Sequence, residues 1–374
     1  MPVGLVLPVA LVMLLYCSLF LWYLISYSRY TGPVPAERED IPVKVSVIIP
    51  VRNEEQHLHS LFKDLLTQDH HSADHEVIFV DDHSSDRSVS FIGQVCQEHA
   101  NLSIIQLPAN VTGKKHAVAA GIEAAAGDWI IQTDADCRLP ESFISGHARY
   151  SAFGADLVIG PVLVQAGKNI WSRLEALEYF SLTATGLAAA AAGRPVMCSG
   201  ANLSYSKNLF RESAAALLSV PHVSGDDVFL MAEAKKSKKN IQLMSEPDML
   251  VMTSPTPGPL KFFQQRIRWG SKARHYRDPD MVALALLVGF TNAMLTGLLV
   301  ATPFIDGVGW LFLSAWGIKS LIDYVLLREV AVRLQQKHLL GIFPVAALFY
   351  YFYVTLAGIL SLPGLYTWKG RRHH

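Results

Sequence analysis

The chain has 374 residues, and its 32 basic and 32 acidic side chains cancel to a formal net charge of zero. That balance argues against nucleic-acid binding by bulk electrostatics. Hydrophobic residues make up 51% and charged residues 17%, which is too apolar for an ordinary soluble protein, and the excess lies at the two ends.

Residues 3–27 contain no charged side chain and are long enough to cross a bilayer. A signal peptide is disfavoured, because the run exceeds an ordinary h-region and has neither a basic n-region nor a small-x-small cleavage site. A transmembrane helix over residues 1–29 is expected instead. Arg29, Arg38 and Lys44 follow it and put that flank in the cytoplasm. Residues 30–42 read as a Pro-rich linker.

Next comes an alternation of strand and helix. Residues 45–49 (VSVII) form a strand-like block ending at Pro50, followed by Arg52, Asn53, Glu54 and Glu55. Leu58, Leu61, Phe62, Leu65 and Leu66 recur at helical spacing. Residues 76–80 form a second strand ending at Asp81-Asp82, with Ser85 or Asp86 as the cap of the next helix. Residues 102–107 form a third strand, and Gly113-Lys114-Lys115 opens a helix to about Ala125. Residues 128–133 form a fourth strand that stops at Asp134-Ala135-Asp136. Such alternation predicts an α/β domain with a parallel sheet, whose strand ends share one edge. Neither a Gly-x-Gly-x-x-Gly turn nor a P-loop motif is present, so dinucleotide and P-loop readings have no support.

Two carboxylates two residues apart repel if the strand continues. A divalent cation, Mg²⁺ or Mn²⁺ held by oxygen ligands, relieves this; a solvated turn is the plainer alternative. On the same edge Asp82 could meet base or ribose donors, and Lys114 a phosphate or base. Taken singly, each is equally a turn or a helix-start residue. Cys17, Cys96, Cys137 and Cys198 have neither metal nor disulfide spacing and fit a reducing compartment. No pair of histidines has ligand spacing with a carboxylate, and His373-His374 read as a disordered end.

Towards the C-terminus, residues 259–280 mix apolar residues with Lys261, Arg266, Arg268, Lys272, Arg274 and Arg277, as an interfacial amphipathic helix does. Residues 174–187 read either as another such helix or as a buried one. Residues 281–374 read as a membrane region with spans at 282–303, 304–327 and 341–362, the second carrying Asp306, Lys319 and Asp323. The basic connector of Arg328, Arg333, Lys337 and His338 reads as cytoplasmic. The same rule disfavours leaving Lys369, Arg371 and Arg372 outside, so one C-terminal segment reads equally as re-entrant or interfacial.

Residues 46–55, 80–86, 113–121 and 134–136 resemble the front half of the glycosyltransferase family 2 domain. The segment 225–230 (GDDVFL) resembles the family's Glu-Asp-x-x-Leu block, with Asp226 where Glu is usual. Gln265, Arg268 and Trp269 fit the Gln-x-x-Arg-Trp signature of its membrane-bound members, the cellulose, hyaluronan, chitin and poly-N-acetylglucosamine synthases. The resemblance implies a GT-A fold over residues 43–258 and a nucleotide-diphospho-sugar donor, with UDP as the nucleotide. It implies that Pro50, Glu54 and Asp82 line the uridine pocket, with Lys114 near the nucleotide and Asp134 on the ribose or diphosphate. Asp136 would ligate Mg²⁺ or Mn²⁺, and Asp227 would be the general base. Gln265, Arg268 and Trp269 would close over diphosphate and acceptor, while residues 200–202 resemble the segment before the acceptor site.

The expected function is therefore an inverting, metal-dependent transfer of sugar to a lipid-linked or glycan acceptor. The catalytic domain would lie at the cytoplasmic side of a bacterial inner membrane, in cell-envelope synthesis. A processive polysaccharide synthase is the alternative within that class, and about four membrane segments weigh slightly towards single transfer or a multi-subunit synthase. A non-catalytic nucleotide-sugar-binding scaffold and a transporter are the alternatives outside it.

Overall fold

The computed structural model describes residues 3–32, 43–69, 75–219, 226–272, 275–362, 366–368 and 371–373. The chain divides into two compact units, one of Thr31–Gln165 with Met197–Ser254, the other of Met1–Tyr30, Ala166–Val196 and Pro255–His374.

Helix α1 (Val3–Arg29) precedes the first unit, which is an α/β domain. Its opening run is β1 (Val45–Val51), α2 (Glu55–Leu66), β2 (His75–Asp81), α3 (Ser88–Glu98), β3 (Leu102–Gln106), α4 (Lys114–Ala124) and β4 (Trp129–Gln132). These four strands are mutually parallel, as the alternation predicts. Val45, Val47, Ile48 and Ile49 have no exposed surface, because a parallel sheet carries its crossover helices on its faces. Then follow β5 (Cys137–Arg138), α5 (Phe143–Ala152), β6 (Leu157–Ile159) and β7 (Val162–Val164). After α6 (Ile170–Ala191), which belongs to the other unit, the domain resumes with β8 (Leu203–Ser206), α7 (Lys207–Ser219), α8 (Asp226–Lys236), β9 (Ile241–Leu243) and β10 (Val251–Thr253). The main sheet has the order β3-β2-β1-β4-β8-β6-β9, with β8 antiparallel to both neighbours. A small second sheet has the order β5-β10-β7.

The second unit is helical: α1, α6, α9 (Pro259–Lys272), α10 (Pro279–Ala301), α11 (Val308–Arg333) and α12 (Phe343–Ser361). Among the described residues, four segments are long and apolar enough to cross a membrane, namely Gly4–Arg29, Pro279–Ala301, Val308–Arg333 and Lys337–Ser361. Val9, Met13, Leu295, Leu298, Val308, Phe312, Ala315 and Tyr351 form their shared core. Leu7, Leu286, Phe290, Trp310, Leu321 and Phe349 stand exposed, an apolar surface suited to lipid. Inside the bundle Lys319 Nζ donates to Asp323 Oδ2 at 2.6 Å, and Tyr16 Oη donates to Asp323 Oδ1 at 2.8 Å.

Some details differ from the sequence reading. Helix α3 begins at Ser88 with Arg87, not Ser85 or Asp86, at its cap position and no side-chain cap bond; Asp86, one residue earlier, accepts the Ser88 N–H on Oδ1 at 3.0 Å from the preceding turn. Helix α11 runs on to Arg333, so Arg328 and Arg333 belong to a helix and not to a connector. Residues 174–187 take the buried alternative: Ala176, Leu177, Phe180, Ala184 and Leu187 are all core residues of α6. His373 pairs with Tyr366 in a short hairpin of β11 (Tyr366–Trp368) and β12 (Arg371–His373).

Candidate active site

The order β3-β2-β1-β4 reverses direction between β1 and β4, and ligands of open α/β sheets bind outside the strand ends at such a reversal. Pro50 stands there. Ile48 O accepts the Thr133 N–H at 3.3 Å, so the even positions of β1 face β4. β4's last partner is Ile48. Pro50 therefore lacks its N–H on the side where the two strands have already parted.

The neighbouring turns are fastened to each other. Asn53 and His83, just past β1 and β2, both have positive φ, 55° and 58°, which turns the chain sharply out of each strand. Ser85 N–H donates to Asn53 Oδ1 at 2.7 Å, Asn53 N–H to Ser84 Oγ at 3.0 Å, and Glu54 N–H to Ser88 Oγ at 2.9 Å. Asp82 is buried, and its Oδ2 meets Arg52 Nη1 at 3.3 Å. Arg52 is a site residue that sequence reading passed over, although it lies two positions after Pro50. His83 Nε2 bonds Val111 O at 2.9 Å and ties this edge to the loop before α4.

Gly113, at φ 105°, turns that loop into α4. Lys114, the first residue of α4, places Nζ 2.5 Å from Asp134 Oδ1. Ala135 is buried while Asp134 and Asp136 are half-buried, so the two carboxylates share the outer side of the turn. Asp136 Oδ2 accepts from Thr253 Oγ1 at 3.3 Å. Among the described residues no three His, Cys, Asp or Glu side chains cluster as a metal site. One or two carboxylates are nonetheless the set that Mg²⁺ or Mn²⁺ uses when substrate phosphates supply the other oxygens.

Asp227, the second residue of α8, accepts the Gly200 N–H on Oδ2 at 2.9 Å. A Cβ on Gly200 would stand 2.6 Å from Gln132 Nε2 and 3.6 Å from Asp227 Cβ, so the absence of a side chain lets this segment lie against the end of β4. Thr133 Oγ1 donates to Ala201 O at 2.9 Å. Asn202 anchors the segment: it is fully buried and donates to Pro161 O and Met249 O at 2.8 Å each. Its Oδ1 bonds His147 Nε2, and Ser204 Oγ bonds His147 Nδ1, both at 2.8 Å. Burial outweighs the Asn202 bond and lowers the His147 pKa from 6.5 to about 4. Asn202 and His147 are architectural supports of the site.

Pro50, Glu54, Asp82, Lys114, Asp134, Asp136 and Asp227 thus all belong to the α/β unit, on or beside one edge of its sheet. Asp226 opens α8; its side chain lies outside the described residues. Gln265, Arg268 and Trp269 lie on α9 in the helical unit. There Arg266 is buried, not on a polar surface face as the amphipathic pattern suggested.

A parallel β/α front half, an antiparallel β8 and acidic strand ends define a GT-A domain, the class of nucleotide-sugar transferases. The sequence profile of glycosyl transferase family 2 matches residues 46–213, and the enzyme class is glycosyltransferase. Mannosyltransferase PcManGT from Pyrobaculum calidifontis, solved with GDP-Man and Mn²⁺, is similar over 96% of this chain and 96% of its own. The TM-score is 0.54 at 17% identity, a likeness of fold. S. aureus TarS 1–349 with UDP-GlcNAc aligns over 88% of this chain and 95% of its own, at 14% identity and TM-score 0.45. No curated protein matches the sequence.

Proposed function

We propose that the protein is an inverting glycosyltransferase that moves a sugar from a UDP-sugar to a lipid-linked or glycan acceptor. It would do so with Mg²⁺ or Mn²⁺, at the cytoplasmic face of a bacterial inner membrane. The observation that carries this reading is the shared edge: Asp82 with Arg52, Lys114 with Asp134, and Asp227 held through Gly200 to the end of β4. The complex of the similar mannosyltransferase with GDP-Man and Mn²⁺ supports a nucleotide-sugar donor and a divalent ion.

In this reading Pro50, Glu54 and Asp82 line the base pocket, whose turns are fixed by the Asn53–Ser85 bonds. Lys114 holds Asp134 beside ribose and diphosphate. Asp136 supplies the carboxylate for the cation, which when bound neutralises charge on the departing diphosphate. Asp227 takes the proton of the acceptor hydroxyl as its oxygen attacks the anomeric carbon and the sugar–phosphate bond breaks. One displacement inverts the anomeric centre and needs no second carboxylate nucleophile. By the family resemblance alone, Gln265 and Arg268 of α9 would donate to the diphosphate, and Trp269 would offer a ring face to the acceptor.

The test is a screen of UDP- and GDP-sugars with membranes holding the protein, with Mg²⁺, Mn²⁺ or a chelator. Released nucleoside diphosphate and sugar in the lipid fraction are measured, with product sizing and anomeric configuration by NMR. Cation-dependent UDP release with an inverted product is expected. A retained configuration, turnover of GDP-sugars alone, or full activity in chelator would each overturn the corresponding part. A high polymer in place of one glycolipid would give the processive alternative.

A further inference from the structure

In the helical unit, Arg266 sits at the centre of α9's motif. Its Nε donates to Glu178 Oε1 and Oε2 at 3.0 Å each, and its Nη2 donates to Glu178 Oε2. Tyr353 Oη on α12 donates to the same carboxylate at 3.1 Å. Burial alone would lower the Arg266 pKa, but the Glu178 charge and hydrogen bonds outweigh it, so the guanidinium is held as a cation. The other side of the same group faces the motif. Arg266 Nη1 donates to Gln265 Oε1. The guanidinium carbon lies 4.4 Å from the centroid of the Trp269 ring and 4.3 Å from that of Phe262.

We propose that Arg266, clamped by Glu178 of α6, is a positioning residue for Gln265 and Trp269. The inference rests on the part given to those two residues in the proposed function. The chemistry is specific to a planar fork: one edge is taken by Glu178, one nitrogen remains for Gln265, and the flat face covers an indole. With Gln265 Oε1 occupied, the amide presents its Nε2 hydrogens, donors of the kind a diphosphate oxygen accepts. With one ring face under the guanidinium, Trp269 keeps a single orientation. Sequence reading misses Glu178 because it lies 88 positions from Arg266.

The experiment is a double-mutant cycle in the full chain, on Arg266→Lys and Gln265→Ala, with kcat and KM for the nucleotide sugar read separately. Arg266→Lys keeps a cation against Glu178 but loses the fork. It is expected to lower kcat about tenfold or more with little change in KM or thermal midpoint, and to cost clearly less in the Gln265→Ala background, where only the part that acts through Trp269 is left to lose. Should Arg266→Lys not accumulate in membranes, Glu178→Gln is used in its place, with the same expectation. A structural role alone predicts the opposite: a lowered midpoint, unchanged kcat and additive effects, which would overturn the proposal. Wild-type rates in both Gln265→Ala and Trp269→Ala would remove the motif from the proposed function and this inference with it. Loss of activity in those two variants with additivity in the cycle would overturn the positioning role alone.

Discussion

Asp227→Asn separates chemistry from architecture at the proposed base. The asparagine keeps an oxygen that can accept the Gly200 N–H, which now lies 2.9 Å from Asp227 Oδ2. What is lost structurally is the charge on that bond, about 1 kcal/mol, and the acceptor for the Val228 N–H, which now lies 2.8 Å from Asp227 Oδ1, about 1 kcal/mol more, together with an anion in the first turn of α8, about 0.3–1 kcal/mol. Together these lower the thermal midpoint by about 5–12 °C, at about 2–4 °C per kcal/mol for a domain of this size. The rate is another matter, because an amide cannot take a proton from the acceptor hydroxyl, and a general base contributes about 10²–10⁴-fold. The assay is nucleoside diphosphate release and labelled-sugar transfer by washed membranes, beside a thermal shift of the detergent-purified protein. A variant turning over within about threefold of wild type would sink Asp227 as the base. A midpoint lowered by much more than that range would show that the carboxylate holds the fold instead.

Asp136→Ala should raise the Mn²⁺ concentration for half-maximal activity by about tenfold or more; a superimposable titration would take Asp136 out of the ligand set. His147, neutral when folded because burial lowers its pKa to about 4 from 6.5, makes a contribution that is complete above pH 6.5. That contribution is lost as pH falls towards 4, about 3 kcal/mol in all, because the unfolded chain takes up the proton first. Urea midpoints should therefore fall less steeply over this window in His147→Gln, and parallel curves would refute the account. In the helical unit, Asp323→Ala leaves the Lys319 cation buried without the carboxylate 2.6 Å away, and folded yield in membranes should drop sharply. Lys319→Leu with Asp323→Leu should restore the yield, and a double variant as poor as the single would contradict a pair kept for neutrality.

The strand ends were legible because each apolar run stops at Pro or Asp, and a parallel sheet gathers such ends whatever their separation in sequence. That is why the sequence alone puts Asp82, Lys114 and Asp134 on one edge. The contact of Asp227 with Gly200 was not legible, since it depends on a close approach of segments 27 residues apart. Nor was the pairing of Arg52 with Asp82, because an arginine after a strand reads equally well as a solvated turn. β5, β7 and β10 have only two or three residues each, too few for an alternation to register. Helix α6 was ambiguous for a physical reason: Glu175 and Glu178 imitate a polar face, although both carboxylates are engaged, by Thr256 N–H and by Arg266.

Helix α6 also limits how the protein can be cut. The polypeptide leaves the α/β domain after Gln165 and returns at Met197, so trimming both termini cannot yield a water-soluble enzyme. Such a fragment would keep α6 stripped of its own neighbours, with Phe180, Leu187 and two glutamates turned loose. A usable soluble version would need an internal deletion that rejoins the chain across that excursion, a cut that no protease acting at the two ends can make.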